Sequence, residues 1–228
     1  MPAMQNLIRV RVWDLPTRLF HWALAVCFVG LVITGTVGGE AMTFHFRFGY
    51  TTMTLLMFRL AWGFVGGRWS RFSSFRLSPR AVFTYLKSPR TPGLDVGHSP
   101  LAALSVWALL TLLTAQIASG LVSDDEITFS GPLSHLVSNA TVSLATFYHA
   151  DIGQWILLAL VVVHLAAIVY YTRRKHRLVL AMVHGDKQLP VAAPPSRDDT
   201  SSRLLAFFIF ALCAAVTYWV AGLQPPAF

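Results

Sequence analysis

Charge is what this chain has least of. Asp, Glu, Lys and Arg make up 12% of its 228 residues, about half of the ~25% usual in a soluble domain. So little charge cannot clothe an ordinary soluble surface. Acids are scarcer than bases, 10 against 18. The resulting net charge of +8 does not mark a nucleic-acid binder. Such proteins carry a basic stripe over a modest apolar core, whereas here the bases fall between long apolar runs. Cysteine is nearly absent: Cys27 and Cys213 both lie inside apolar runs. With no CxxC and no CxxCH, a zinc ribbon, a thioredoxin-like motif, covalently attached haem and a disulfide framework are all excluded. The two thiols read as small buried hydrophobes.

What is abundant is apolar: 55% of the residues are hydrophobic and the mean hydropathy is +0.57. Crossing a bilayer takes about 20 mostly apolar residues at about 1.5 Å each. Five runs qualify: Leu19–Val37, Phe48–Val65, Leu101–Val122, Ile152–Tyr171 and Leu204–Leu223. No A-x-A cleavage site follows the first run, so it reads as a helix of the mature chain rather than a signal peptide. Basic residues set the orientation. Arg9, Arg11 and Arg18 precede the first run, and Arg68, Arg71, Arg76, Arg80, Lys87 and Arg90 separate the second from the third. Arg173, Arg174, Lys175, Arg177, Lys187, Arg197 and Arg203 separate the fourth from the fifth. Against these sixteen the opposite side has Arg47 alone, and Arg59 falls within a run. The expected protein is therefore multi-pass, with a cytoplasmic N-terminus and a periplasmic C-terminus, in a bacterial inner membrane. Tryptophans and tyrosines such as Trp22, Trp155 and Tyr170 fit the interfacial belts.

The stretch from Gly185 to Ser202 is polar and proline-rich and reads as a flexible cytoplasmic linker. The expected organisation is a core over residues 1–184, a linker over 185–202 and an extra C-terminal transmembrane helix over 203–228.

Ionisable residues within a span are costly and usually functional. Of eight histidines, His98, His135, His176 and His184 fall in loops, and four lie in or at the ends of spans. His21 is near the cytoplasmic start of the first and His45 at the outer mouth of the second. His149 is at the outer start of the fourth, and His164 lies about two turns before its cytoplasmic exit. The depths therefore pair His21 with His164 and His45 with His149. The two histidines of the fourth span are fifteen residues apart, so they point within about 60° of each other and stand about 22 Å apart along the axis. One helix face then supplies a ligand to each of two stacked sites. A haem with two imidazole ligands takes one histidine from each side, on facing helices. Zinc would take three or four clustered ligands, and these histidines come in separated pairs. A single histidine at a helix mouth, taken alone, reads equally as an interfacial hydrogen-bonding residue.

The segments VWDLPTRLFHW, FHFRFGYTTMTLLMFRLAWGFVG and GHSPLAALSVWALL, with the His149/His164 pair, resemble the bacterial cytochrome b561 family, which includes the cytochrome b subunits of nickel–iron hydrogenases. The similarity runs from about Leu7 to Gly185 and leaves the fifth run outside. It implies an all-α membrane protein in which a four-helix transmembrane bundle holds two b haems, here with a fifth helix appended. Its ligand positions fall on His21, His45, His149 and His164, each iron being bis-histidine. The implied function is electron exchange between the quinone pool (ubiquinone or menaquinone) and a periplasmic or membrane redox partner, such as a cytochrome c or a hydrogenase-type subunit. A superoxide:quinone oxidoreductase acting at the outer haem is the alternative, against which the acidic outer stretch Asp124, Asp125 and Glu126 counts. A membrane anchor without redox chemistry would have no need of four paired histidines.

Arginine suits a haem propionate because its guanidinium fork matches a carboxylate. Arg18 lies three residues before His21, Arg47 is next but one to His45, and Arg59 lies within a span where it must find a partner or snorkel. The plain alternatives are orientation marking for Arg18 and a solvated charge for Arg47. His98 sits just before the third span, where it serves a quinone headgroup, a propionate or the helix cap.

Overall fold

Each of the five apolar runs is helical in the computed structural model, which describes residues 7–87, 96–174 and 177–223. Arg90, Lys175 and His176 lie outside the described residues. A short strand β1 (Ile8–Arg11) leads into α1 (Leu15–Val37), and α2 (Met42–Val65) follows after a tight turn. Next come a short helix α3 (Pro79–Lys87) and α4 (Pro100–Gly120). Then α5 (Asn139–Phe147) runs through a π-helical turn, Tyr148–Gly153, into α6 (Gln154–Arg173). The chain ends with α7 (Leu178–His184), strand β2 (Asp186–Leu189) and α8 (Thr200–Ala221).

Among the described residues, four helical stretches are long and apolar enough to cross a membrane: Leu15–Val37, Pro100–Gly120, Asn139–Arg173 and Thr200–Ala221. They turn large apolar side chains outward: Val26 is 66% exposed, Phe208 66% and Tyr218 83%. Leaving such a side chain in water forgoes about 1.5–3 kcal/mol, so lipid is the solvent these surfaces fit. The α2 helix has 24 residues, enough to span, but His45, Arg47, Arg59 and four threonines make it less apolar than the others. Among its buried residues are Thr52, Thr54 and Arg59.

By its internal packing the chain divides into two units. The first comprises Met1–Phe20, Arg59–Ala108 and His164–Phe207. Here β1 and β2 pair antiparallel, from Ile8 opposite Leu189 to Arg11 opposite Asp186. Val10, Val12, Trp13, Val96, Ala181 and Leu189 form a small apolar core beneath them. Asp14, fully buried, caps α1 through Thr17 N–H (2.8 Å) and also accepts from Trp62 Nε1 (3.1 Å), Gly67 N–H (3.1 Å) and Ser70 Oγ (2.6 Å). Four donors meet the requirement that a buried carboxylate be fully hydrogen-bonded.

The second unit comprises His21–Phe58, Leu109–Val163 and Phe208–Phe228. Within it α8 packs on α2: Thr54 Oγ1 donates to Thr217 Oγ1 at 2.9 Å, and the rings of Phe58 and Phe210 lie 6.0 Å apart. Gly30 lets Phe48 close on α1, since a Cβ there would stand 2.6 Å from the ring.

Two expectations are corrected. The segment after Gly185 is not a free linker. It opens as β2, and Asp186 takes Arg9 (2.6 Å) and Arg11 (2.9 Å). Ser196 then bonds the main chain of Arg11 and Val12 (2.8 and 2.7 Å), and Asp198 takes Leu15 N–H (3.1 Å). Its polar side chains, which read as loop composition, are the groups that satisfy β1 and the start of α1. Gly185 makes the turn, with φ +91° closing α7, a conformation that favours glycine. Second, the helix expected from Ile152 starts at Asn139 and is continuous to Arg173. His149 is therefore not at a helix start but inside a long helix, at a π turn.

Candidate functional site

His45 lies in the first turn of α2. Its Nδ1 is 3.2 Å from the Leu31 carbonyl oxygen and 3.2 Å from Thr34 Oγ1, and that hydroxyl itself donates to the Gly30 carbonyl at 2.6 Å. A carbonyl can only accept, so the proton sits on Nδ1 and the Nε2 lone pair is left for a metal. His149 is arranged in the same way. Its Nδ1 is 2.9 Å from the Gln116 carbonyl oxygen and 3.3 Å from Ser119 Oγ, which donates to that same carbonyl at 2.9 Å. Metal-ligating histidines characteristically donate their other N–H in this manner, which fixes the tautomer and the ring plane.

The two rings lie 6.2 Å apart, centroid to centroid, with an angle of 85° between their planes. Two metal–imidazole bonds of about 2 Å, with a little over 1 Å from each nitrogen to its ring centre, give about 6.3 Å. The pair is thus spaced for one iron between two imidazoles. A cavity of about 510 Å³ opens around them, lined by residues including Phe28, Gly49, Leu113, Gln116 and Leu158. That lies within the range of about 300–1,000 Å³ for cofactor sites.

Glycines shape its walls. A Cβ on Gly35 would stand 3.2 Å from the His45 ring, one on Gly120 would stand 2.7 Å from the His149 ring, and one on Gly49 would meet nothing within 4 Å. Gly49 follows His45 by one turn and leaves a flat open face beside it. Among the described residues no three His, Cys, Asp or Glu side chains gather as a metal would need. A planar macrocycle held by two imidazoles fits the residues present.

The other expected residues fall as follows. His21 is in the second unit, edge-on to Trp22 at 5.2 Å, and half-buried His164 is in the first. His98 packs between Trp13 (4.6 Å) and Phe75 (4.8 Å). The oxygen that caps α4 is Ser99 Oγ, which accepts from Ala102 N–H at 3.3 Å, and His98 is partly exposed.

Arg18 Nη1 donates to the Val183 carbonyl at the end of α7, at 2.6 Å. Arg47 is exposed over the Phe44 ring at 5.4 Å, on a different side of α2 from His45, as residues two apart must be. Arg59 is 3% exposed, lies 4.7 Å from the centre of the Phe72 ring, and its Nη1 has no hydrogen-bond partner among the described residues.

On the rim of the cavity, Asp125 accepts backbone N–H groups from Ile127 (3.0 Å), Thr128 (2.8 Å) and Phe129 (2.8 Å). Slight burial raises its carboxyl, and these bonds outweigh that and hold it below the usual carboxylate range. Of the acidic stretch Asp124 to Glu126, Asp124 and Asp125 are thus turn-formers.

Sequence reasoning missed Gln116, Gly35, Gly49, Gly120 and Asp14. The signals were faint: Gln116 and Gly120 share a face at a spacing of four, Gly49 follows His45 by four, and Asp14 precedes Leu-Pro at a helix start.

The family described as prokaryotic cytochrome b561 matches residues 12–185. Among curated relatives, the probable Ni/Fe-hydrogenase 1 B-type cytochrome subunit of Escherichia coli K12 is 26% identical over 141 residues, 50% of this chain and 60% of that protein. The match therefore spans less than two thirds of that relative. The probable Ni/Fe-hydrogenase B-type cytochrome subunit of Bradyrhizobium diazoefficiens is 26% identical over 214 residues, covering 78% of this chain and 86% of the relative. Its namesake in Azotobacter vinelandii is 29% identical over 193 residues, covering 68% and 78%.

Proposed function

We propose, from the premise that this chain belongs to the prokaryotic cytochrome b561 family, that it carries electrons between the quinone pool and a redox partner through two b haems. The family makes it a multi-pass membrane cytochrome b of electron transfer, with haem b as its group. The observation that carries the further reading is the pair His45 and His149, two imidazoles 6.2 Å apart with both Nδ1 protons committed to main-chain carbonyls. They hold the outer haem. His21 and His164 hold the inner one, as the depth argument requires. Bound haem supplies a reversible one-electron couple whose potential its axial ligands and surroundings set.

What the chain itself does is hold, insulate and connect. The glycines at 35, 49 and 120 give the ring planes room, and apolar walls from Phe28, Leu113 and Leu158 keep water from the outer site. Arg59, buried with an unpartnered Nη1 against Phe72, is placed to be completed by an anionic group such as a propionate. Arg18 and Arg47 are weaker partners for one, Arg18 being engaged at the end of α7 and Arg47 lying exposed. His98, between the inclined rings of Trp13 and Phe75, is the residue for a quinone headgroup.

The partner is a periplasmic basic carrier such as a cytochrome c, or a hydrogenase-type subunit as the relatives' names suggest. The acids at the outer rim attract a basic protein and repel superoxide, so the electron-carrier reading is preferred to superoxide oxidation. The core of four helices plus α8, the inner-membrane setting and the cytoplasmic N-terminus belong to the same proposal.

Haem-to-protein ratio and a redox titration of the purified chain test it. Two b haems per chain are expected, one lost in His149→Ala. A single haem unaffected by His149→Ala would refute it.

A further inference from the structure

Gln116 holds His149 twice. Its main-chain carbonyl accepts the ring Nδ1–H at 2.9 Å, and its side-chain Nε2 donates to the His149 main-chain carbonyl at 2.8 Å. The backbone it holds is unusual: His149 is the second residue of the π turn. Such turns are rare and fall out of step with the α ladder on either side, and they recur at functional sites. A second amide, Gln154 Nε2, attends the neighbouring Ala150 carbonyl.

The space for Gln116 comes from Gly153, the buried last residue of the turn, where a Cβ would stand 2.2 Å from Gln116 Oε1 and 2.8 Å from the Tyr148 ring. Oε1 itself is buried without a hydrogen-bond partner among the described residues. A buried amide oxygen left unpaired is a standing cost, and it marks the donor end of this side chain as the end that matters.

We propose that Gln116, seated in the gap at Gly153, is a positioning residue for the outer haem: it holds the His149 imidazole perpendicular to that of His45 and so sets that haem's potential and spectral type. This rests on the haem reading given above. An Nδ1–H···O=C bond fixes ring rotation and makes the imidazole a more basic ligand, which favours ferric iron and lowers the potential. The 85° between the rings corresponds to the strongly anisotropic low-spin ferric resonance of perpendicular imidazoles. Near-parallel rings give the rhombic three-line form.

The test uses the full-length haem-loaded protein and three variants. Gln116→Leu removes the side-chain amide at similar volume and leaves the main-chain carbonyl, so that the released His149 backbone carries the ring away from that carbonyl. Gly153→Ala takes the space the amide occupies, and Gln154→Leu removes the other amide without touching the ring. Gln116→Leu and Gly153→Ala should raise the midpoint potential of the outer transition, leave the inner one unmoved, and turn the outer resonance toward the rhombic form. Affinity for the outer haem should fall by about 10- to 100-fold. Gln154→Leu should leave the outer resonance and potential as they are.

The proposal is overturned if the outer resonance and potential survive both of the first two changes. It is also overturned if Gln154→Leu reproduces their effects, because Gln116 would then be helix packing and nothing more. Should Gln116→Leu fail to fold, Gly153→Ala decides the matter with the glutamine intact. A haem transition that His149→Ala does not remove would instead count against the haem reading itself.

Discussion

The steric fit at Gly120 offers a graded test of the outer site. A Cβ at this position would lie 2.7 Å from His149 Cε1 and 3.0 Å from Nδ1, against an ordinary contact of 3.4 Å or more. The ring or α4 must therefore yield by about 0.7 Å, while metal–ligand distances tolerate only about ±0.2 Å. At Gly35 the same methyl would lie 3.2 Å from His45, a shortfall of about 0.2 Å, which ring tilt absorbs.

Gly120→Ala should thus lose the outer haem from most of the protein, whereas Gly35→Ala should keep it with at most a small shift of potential. Gly120 is the last residue of α4 and is not left-handed, so alanine there costs the helix nothing. A loss in Gly120→Ala cannot then be ascribed to a weaker α4. Haem-to-protein ratio and reduced-minus-oxidised spectra read the result. Full haem content and an unshifted outer transition in Gly120→Ala, or greater damage from Gly35→Ala, would refute the geometry argued here.

The proposed inner site rests on depth alone: His21→Ala and His164→Ala should abolish the same redox transition, and loss of different transitions would break the pairing. Reporters fused at the N-terminus and near Lys187 should be cytoplasmic and one at the C-terminus periplasmic; a cytoplasmic C-terminus would mean that α8 does not span. With Asp124 and Asp125 engaged in turn bonds, Glu126→Gln is the clean test of docking. It should slow exchange with a basic periplasmic carrier at low salt and converge with the parent at high salt, where screening is strong, and identical low-salt rates would remove the patch. At the start of α8, Arg197 and Ser202 N–H hold the Asp199 carboxyl below its ordinary value. A depressed folded value means that this capping contribution is present above the unfolded value of about 3.9 and is lost as pH falls through the folded one. Amide exchange in the first turn of α8 should therefore rise on acidification, and Asp199→Asn should flatten the dependence.

Part of the candidate site was legible in the sequence. His45 and His149 were marked by their depth, and the structure brings their rings within one iron's span. The polar segment after Gly185 was misread because composition reports solvation and not partners. The same Asp and Ser residues that make a loop soluble can satisfy the arginines of β1 and the main chain that follows it when the fold brings them there.

Hydrophobic length, the one-sided run of bases and the histidine positions are properties of the chain as a line, so the sequence by itself determined a helical membrane protein with histidines at two depths. The π turn is different in kind. Whether a helix widens for one turn depends on what lies across from it, here the amide of Gln116 on α4, which enters the space that the turn's own Gly153 leaves. The ring spacing, the 85° between the planes and the committed Nδ1 protons likewise arise from carbonyls on other helices. Only tertiary packing sets where a carbonyl on one helix meets a ring on another, and no periodicity along the sequence carries that distance.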